Sequence, residues 1–349
     1  MKRLLTRHGN IRNKTNINVF EVDKQVNQVF KYWRKKGFPY YSTDRKFRKE
    51  KFDKFLRVND MNSLDFRTRL LKPNAVGLSL CWSYFKHAFK VRCNKLKSPF
   101  DVWEDKHHFK YGLSKLIRGT FFTSSNYKDL MKDNEKVKQI LLTVLRRVTG
   151  AQMVSNFRPV TASIIYKIFC EENDVVWDMS SGWGGRLLGS IKSKVNYIGT
   201  DPSAKTIQGN KQLAKEFGNK RNTYELHQCG SEEFTPDYNS LDFAFTSPPY
   251  FDTEKYSNEK SQSFLKFNNI AKWKNGFLKK TLRNAYKGLK RNRFLALNVA
   301  DVGSYKSFER DTRDIAKQIG FKLCDTFYLQ LGSQKATFRT EPIYIFKKK

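Results

Sequence analysis

Residues 174–186 read DVVWDMSSGWGGR, an apolar run closed by Asp178, then Ser180, the glycines Gly182, Gly184 and Gly185, and the start of a helix near Arg186. A strand, a glycine-rich turn and a helix in that order predict a loop at the carboxyl end of a strand. There glycines permit a tight turn and a close ligand, and the helix offers unbonded N–H groups. The turn lacks the Lys-Ser/Thr ending of a P-loop, which argues against a nucleotide triphosphatase. Many nucleotide-binding folds share such a turn, so its neighbours must decide.

Downstream the pattern repeats. Residues 195–201, 222–228, 241–247, 293–299, 322–331 and 341–348 are further strand candidates, with helical stretches between most of them. Together with 174–180 they predict an α/β fold: a doubly wound, mostly parallel seven-stranded sheet covered on both faces. In such sheets ligands bind beyond the carboxyl ends of the strands.

Upstream the texture differs. Residues 133–150, DNEKVKQILLTVLRRVTG, place Val137, Ile140, Leu141, Val144, Leu145 and Val148 at helical spacing and end on Gly150. We therefore expect a basic, mainly helical domain over 1–150 and a catalytic domain over 151–349. The first 150 residues hold 35 Lys and Arg against 13 Asp and Glu, within a chain of net charge +34. Such a surplus repels itself and points to an acidic partner, nucleic acid above all. In residues 30–57 the cations alternate with aromatics, which reads as a phosphate-tracking face with rings able to stack on bases, or as a solvated helical surface over an aromatic core.

No apolar run is long enough for a membrane-spanning helix, and the basic N-terminus lacks the apolar segment of a signal peptide. Five scattered cysteines make neither a disulfide framework nor a CxxC pair, which fits a reducing cytoplasm, and the five histidines show no metal-ligand spacing.

The remaining strand ends carry the chemistry. Asp201, in GTDPSAKTIQ, lies about twenty residues past the glycines, where a carboxylate can accept hydrogen bonds from a ribose diol; it also reads as a helix cap. Ser231, in HQCGSEEF, follows the third strand where an adenine ring would lie, although a Gly-Ser turn needs no ligand. The fourth strand runs into TSPPY. Ser247 and the carbonyl of Pro248 offer two acceptors, Pro249 stiffens the chain, and Tyr250 adds a flat face, a set suited to a planar substrate with an exocyclic amine.

The ordered set DMSSGWGG, GTD and TSPPY resembles the S-adenosylmethionine-dependent DNA amino-methyltransferases over roughly residues 155–349. The resemblance implies a Rossmann-like methyltransferase sheet and S-adenosylmethionine as cofactor. It assigns Asp178, Ser180, Gly182, Gly184, Asp201 and Ser231 to cofactor binding, with Phe157, Arg158 and Pro159 at its methionine end. Ser247, Pro248, Pro249 and Tyr250 become the catalytic motif, acting on a base flipped from DNA, in the setting of DNA methylation and restriction-modification. The serine in TSPPY favours cytosine N4 over adenine N6. An RNA substrate and a non-catalytic binding protein are the alternatives. One departure is DMSS where relatives carry Asp-Pro-Phe; Trp183 is the candidate replacement aromatic.

Further candidates are Asp252, Glu254 and Tyr256 in the polar stretch 251–273, which reads as a mobile loop or a solvated linker. Asn298 and Asp301 follow the fifth strand, and Arg339 belongs to a C-terminal hairpin whose turn would meet phosphates or solvent.

Overall fold

The structure, a computed structural model, describes residues 19–93, 95–119, 126–257, 259–331 and 339–349. Among these the chain divides into two compact units, one of residues 19–40 and 99–151, the other of Tyr41–Ser98 and Gln152–Lys349.

The smaller unit packs the helices Val19–Lys36, Pro99–Glu104, Lys106–Ile117 and Glu135–Arg147 around Val22, Val26, Val29, Trp33, Phe109, Leu113, Leu141 and Val144. Asn134 caps the last helix by accepting from the Val137 N–H, so the helix predicted over 133–150 forms with its apolar stripe inward. The buried Trp33 indole donates to the Leu130 carbonyl at 2.6 Å.

The larger unit holds a nine-stranded sheet. In chain order its strands are β1 (Leu64–Asp65), β2 (Leu70–Leu71), β4 (Val175–Asp178), β5 (Asn196–Thr200), β6 (Tyr224–His227), β7 (Leu241–Thr246), β9 (Leu289–Asn298), β10 (Phe321–Gln330) and β11 (Thr340–Lys348). β3 (Arg92–Cys93) and β8 (Glu254–Lys255) make a separate antiparallel pair. The spatial order is β1-β2-β10-β11-β9-β7-β4-β5-β6. β6, β5, β4, β7 and β9 run parallel, and β11 is antiparallel to both β9 and β10. This is the expected Rossmann-like α/β architecture. All six residues of β7 are buried, as a central parallel strand covered on both faces requires.

One face carries the helix Pro159–Phe169, whose Tyr166 and Phe169 rings meet Phe243 and Phe245. The other packs the helices Lys279–Gly288 and Phe308–Ile319 through Leu282, Ala285, Ile315 and Ala316 against Trp177, Ala244 and Leu295. The chain leaves β4 outward through β5 and β6, then returns to place β7 on β4's other side, with Asp178 opposite Phe245. The loops after β4 and β7 therefore part at a switch point, which opens a crevice between them.

Two expectations are corrected. The sheet has nine strands rather than seven, because β2 pairs with β10 (Leu70 beside Tyr328) and β1 pairs with β2. The basic half is also not one body with its boundary at Gly150, since Tyr41–Ser98 folds with the sheet. Asp60 shows why: fully buried, it accepts from Lys167 and Lys192 at 2.6 Å each and from Ser163 at 2.8 Å. A carboxylate buried among three donors fixes its segment to the helices that supply them. The aromatics of residues 30–57 are largely core: Trp33, Tyr41, Phe47 and Phe55 are buried, and Phe52 stacks on Phe217. Those rings are therefore not free for bases, and the cations form the exposed part of the stretch.

Candidate active site

A cavity of about 430 Å³ opens at the switch point. Phe157, Arg158, Ser180, Gly182, Trp183, Asp201 and Ser231 line one side, and Ser247, Pro248, Pro249 and Tyr250 the other. Ten of the thirteen residues expected to bind or react thus share one concavity, whose size falls within the usual range for small-molecule sites. The other three, Asp178, Gly184 and Pro159, are not among its lining residues.

Their placement explains the exception. Asp178 is fully buried and spends its oxygens inside the protein, accepting from Arg186 Nε at 2.8 Å, the Tyr197 hydroxyl at 2.6 Å and the Ser180 N–H at 3.2 Å. Burial works against the Arg186 charge, but the adjacent Asp178 carboxylate more than offsets this and holds the guanidinium pKa above its ordinary value. Arg186 also donates to the Ser180 carbonyl and lies over the Phe157 and Phe245 rings. Asp178 is therefore a positioning residue for the glycine loop.

Gly184 has φ +76° and forms the N-cap of the helix Gly185–Ser193. A Cβ on Gly185 would lie 1.8 Å from the Phe157 carbonyl oxygen, so the loop and the Phe157 segment pass too closely for any side chain. Pro159 is the first residue of the helix Pro159–Phe169, and its ring would touch a Cβ placed on Gly77 at 3.0 Å.

Asp201 closes the same loop from β5. Its carboxylate accepts from Gly182 N–H at 3.1 Å and Ser203 N–H at 2.9 Å and lines the cavity. Burial pushes its carboxyl up to about 7, with Asp178 and Glu259 adding to the rise while the two N–H donors oppose it. Ser231 is buried, with its hydroxyl engaged by Thr281 at 2.9 Å. Arg158 donates to the Gln330 carbonyl at 2.6 Å, and burial holds its pKa down against the opposing effect of Glu341, which also lines the cavity.

On the opposite wall β7 delivers its last residue, Thr246, directly into Ser247. The Tyr250 ring stands at 87° to Phe308 with centroids 5.6 Å apart, so the core holds it edge-on. Phe251 takes φ +52°, and the Thr253 N–H reaches back to the Tyr250 carbonyl at 3.1 Å. A bulky residue in the left-handed region costs energy, and here it turns the chain sharply away from the motif.

The polar stretch beyond is anchored at several points. β8 pairs with β3, the Ala204 N–H donates to Glu259 at 3.4 Å, and Ser261 donates to the Pro202 carbonyl at 3.4 Å. Thr253, Tyr256, Ser261, Gln262 and Ser263 line the cavity, and Asp252 does not. The Glu254 side chain lies outside the described residues. Asn298 also lines the cavity, donating to the Pro342 carbonyl at 3.1 Å, whereas Asp301 is exposed and accepts from the Glu309 N–H. Arg339 closes the β10–β11 hairpin through its carbonyl to Leu331, and the hairpin tip, 332–338, lies outside the described residues.

Trp183 is buried against Trp82, Phe85 and His87, with Tyr256 6.0 Å away. It also lines the cavity. Burial, followed by Lys205, pushes the His87 pKa down to about 4, so its ring is neutral at neutral pH.

Sequence reading missed Asn156, Arg186 and Glu232. Asn156 holds the loop by donating to the Trp183 carbonyl at 2.9 Å. Glu232 is nearly buried: one carboxylate oxygen is held by Lys266 at 2.8 Å, and the other, beside the cavity, has no hydrogen-bond partner among the described residues. Its only sequence signal was adjacency to Ser231. Among the described residues no three His, Cys, Asp or Glu side chains gather as metal ligands, and no helix is long and apolar enough to cross a membrane.

No protein-family profile matches the chain, and no curated protein matches its sequence. Its structure is similar to a SAM-dependent methyltransferase from Methanosarcina mazei, 13% identical over 53% of this chain and 96% of that one, with a TM-score of 0.37. A TehB-like SAM-dependent methyltransferase from Corynebacterium glutamicum is 14% identical over 56% of this chain and 90% of that one, TM-score 0.37. A magnesium protoporphyrin IX methyltransferase from Synechocystis, with bound SAM, is 15% identical over 55% of this chain and 79% of that one, TM-score 0.38.

Proposed function

We propose that the chain is a DNA methyltransferase that uses S-adenosylmethionine to methylate the exocyclic amine of a flipped base, with cytosine N4 as the target. The observation that carries this reading is the shared cavity: Ser180, Gly182 and Asp201 line one side of the space whose other side is the Ser247–Tyr250 motif.

The residues present fit the cofactor. Asp201 offers a half-buried carboxylate to a ribose diol, the unpartnered Glu232 oxygen offers an acceptor for an amine, and the Gly185 backbone leaves no side chain between the loop and the Phe157 segment. Phe157 and Arg158 would hold the methionine end. When bound, S-adenosylmethionine supplies a methyl group activated by its sulfonium.

The chain's part is positioning. The Ser247 hydroxyl and the Pro248 carbonyl accept the two amine hydrogens, which draws the nitrogen towards tetrahedral geometry and localises its lone pair. Pro248 and Pro249 fix the backbone that carries these acceptors, so the path of the chain is set before reaction. Tyr250, held edge-on by Phe308, stacks on the extruded base. Ser261, Gln262 and Ser263 line the cavity beside the motif. The charge of +34 supports nucleic acid as substrate, and the basic helical unit is the proposed reader of target sequence.

The test has two stages. S-adenosylmethionine should bind in calorimetry, and incubation with unmethylated duplex DNA should yield N4-methylcytosine by nucleoside mass spectrometry. N6-methyladenine would transfer the reading to adenine, label in RNA alone would replace DNA, and absence of cofactor binding would favour a non-catalytic nucleic-acid-binding protein.

A further inference from the structure

On the solvent side of the helix Lys279–Gly288, a shallow groove of about 390 Å³ is lined by Lys279, Arg283, Tyr286, Lys287, Gln318 and Ile319. Three of these six residues are cations and none is acidic. Lys279, Arg283 and Lys287 recur every four residues, so they form one row with about 6 Å between neighbours along the helix axis. The buried face of the helix, with Thr281, Leu282 and Ala285, points the other way into the core.

Several cations of the same region have carboxylate partners: Lys266 with Glu232 and Glu233, Lys274 with Asp311, and Lys290 and Arg293 with Asp242. Among the described residues Lys279, Arg283 and Lys287 make no ion pair, although like charges at this helical spacing repel one another. The row also begins beside the active site. Phe277 lines the cavity, Thr281 bonds Ser231 on its wall, and Lys279, between them in the chain, starts the row on the opposite face at that end of the helix.

We propose that this groove seats the phosphodiester backbone of duplex DNA, with the Lys279–Arg283–Lys287 row tracking successive phosphates and the Gln318 amide as an added donor. The proposal rests on the reading of the cavity as a base-methylating site. It assigns part of substrate binding to the flank of the catalytic unit, where the contact carries affinity and leaves base identity to other surfaces.

The test measures binding of labelled unmethylated duplex across a salt series, for the wild type, a Lys279→Gln/Arg283→Gln/Lys287→Gln variant and a Lys54→Gln control outside the groove. Each lost phosphate contact lowers the salt slope by about 0.9, so the triple variant should lose about 2–3 from the slope and bind at least about tenfold more weakly at moderate salt. Its thermal midpoint and S-adenosylmethionine affinity should match the wild type. An unchanged slope and affinity would overturn the proposal, as would binding to anionic phospholipid vesicles in place of duplex. Failure of the methylation reading is scored separately, as absence of methylated nucleoside from the wild type.

Discussion

The two walls of the cavity are built on opposite principles. On the glycine-loop side Asp178 and Asp201 are committed: Asp178 accepts from Arg186, Tyr197 and Ser180, and Asp201 from Gly182 and Ser203. On the motif side the chain is set by two consecutive prolines and by the packing of Tyr250 against Phe308. The first wall is fixed by hydrogen bonds among its own groups and the second by proline backbone and ring packing; in the proposed reaction it is the second that meets the substrate amine. Binding and reaction should therefore be separable by mutation.

The largest expected effect breaks the committed wall. Asp178→Ala leaves Arg186 as a buried, uncompensated cation and should lower stability by about 3–5 kcal/mol, read as a drop in denaturant midpoint. Asp178→Asn, which keeps an acceptor, should lose less. A variant as stable as the wild type would show that the wall does not depend on this pair.

Next is the other wall. Pro249→Ala and Tyr250→Ala should each lower the single-turnover methyl-transfer rate by about two to three orders of magnitude, while cofactor affinity by calorimetry changes little.

Gly185→Ala and Gly182→Ala sharpen the contrast within one loop. A Cβ at Gly185 meets the Phe157 carbonyl at 1.8 Å, whereas one at Gly182 meets nothing nearer than 3.6 Å but takes φ +51°. The first should unfold the loop and abolish cofactor binding. The second should cost about 1–2 kcal/mol of stability by thermal denaturation.

The last effect is a pH dependence. Asp201, raised from 3.8 to about 7, keeps a proton in the folded protein that the unfolded chain has already released. Its contribution to the stability of the cofactor-free protein should therefore fall as pH rises from about 4 to about 7 and stay level above. Thermal midpoints across this window should lose that component in Asp201→Asn.

The strands were legible because their signal is local. The seven longer strands carry continuous or alternating β patterns bounded by turns, and β7 is buried along its whole length. The two-residue strands β1, β2, β3 and β8 carry no periodicity, since pairing with distant partners alone defines them. The place of Tyr41–Ser98 was hidden for the same reason: Asp60 meets Lys167 and Lys192 more than a hundred residues away. In the site, spacing put the glycine turn after β4 and the TSPPY stretch at the end of β7, but could not tell which way a side chain turns. Asp178 therefore read as a ligand contact although Arg186 claims it, and Glu232, one residue beyond Ser231, went unnoticed. Aromatics among cations looked available to bases until packing placed Trp33, Phe47 and Phe55 in the core.

The central claim, that one cavity joins a binding wall to a reacting wall, is tested most directly by measuring cofactor affinity and single-turnover methyl transfer to duplex DNA together, in Asp201→Asn and Pro249→Ala. The account predicts that Asp201→Asn weakens cofactor affinity about tenfold with the rate at saturating cofactor little changed, and that Pro249→Ala does the reverse. If both quantities fall together in both variants, or if wild type bound to cofactor transfers no methyl group to DNA, the account is contradicted.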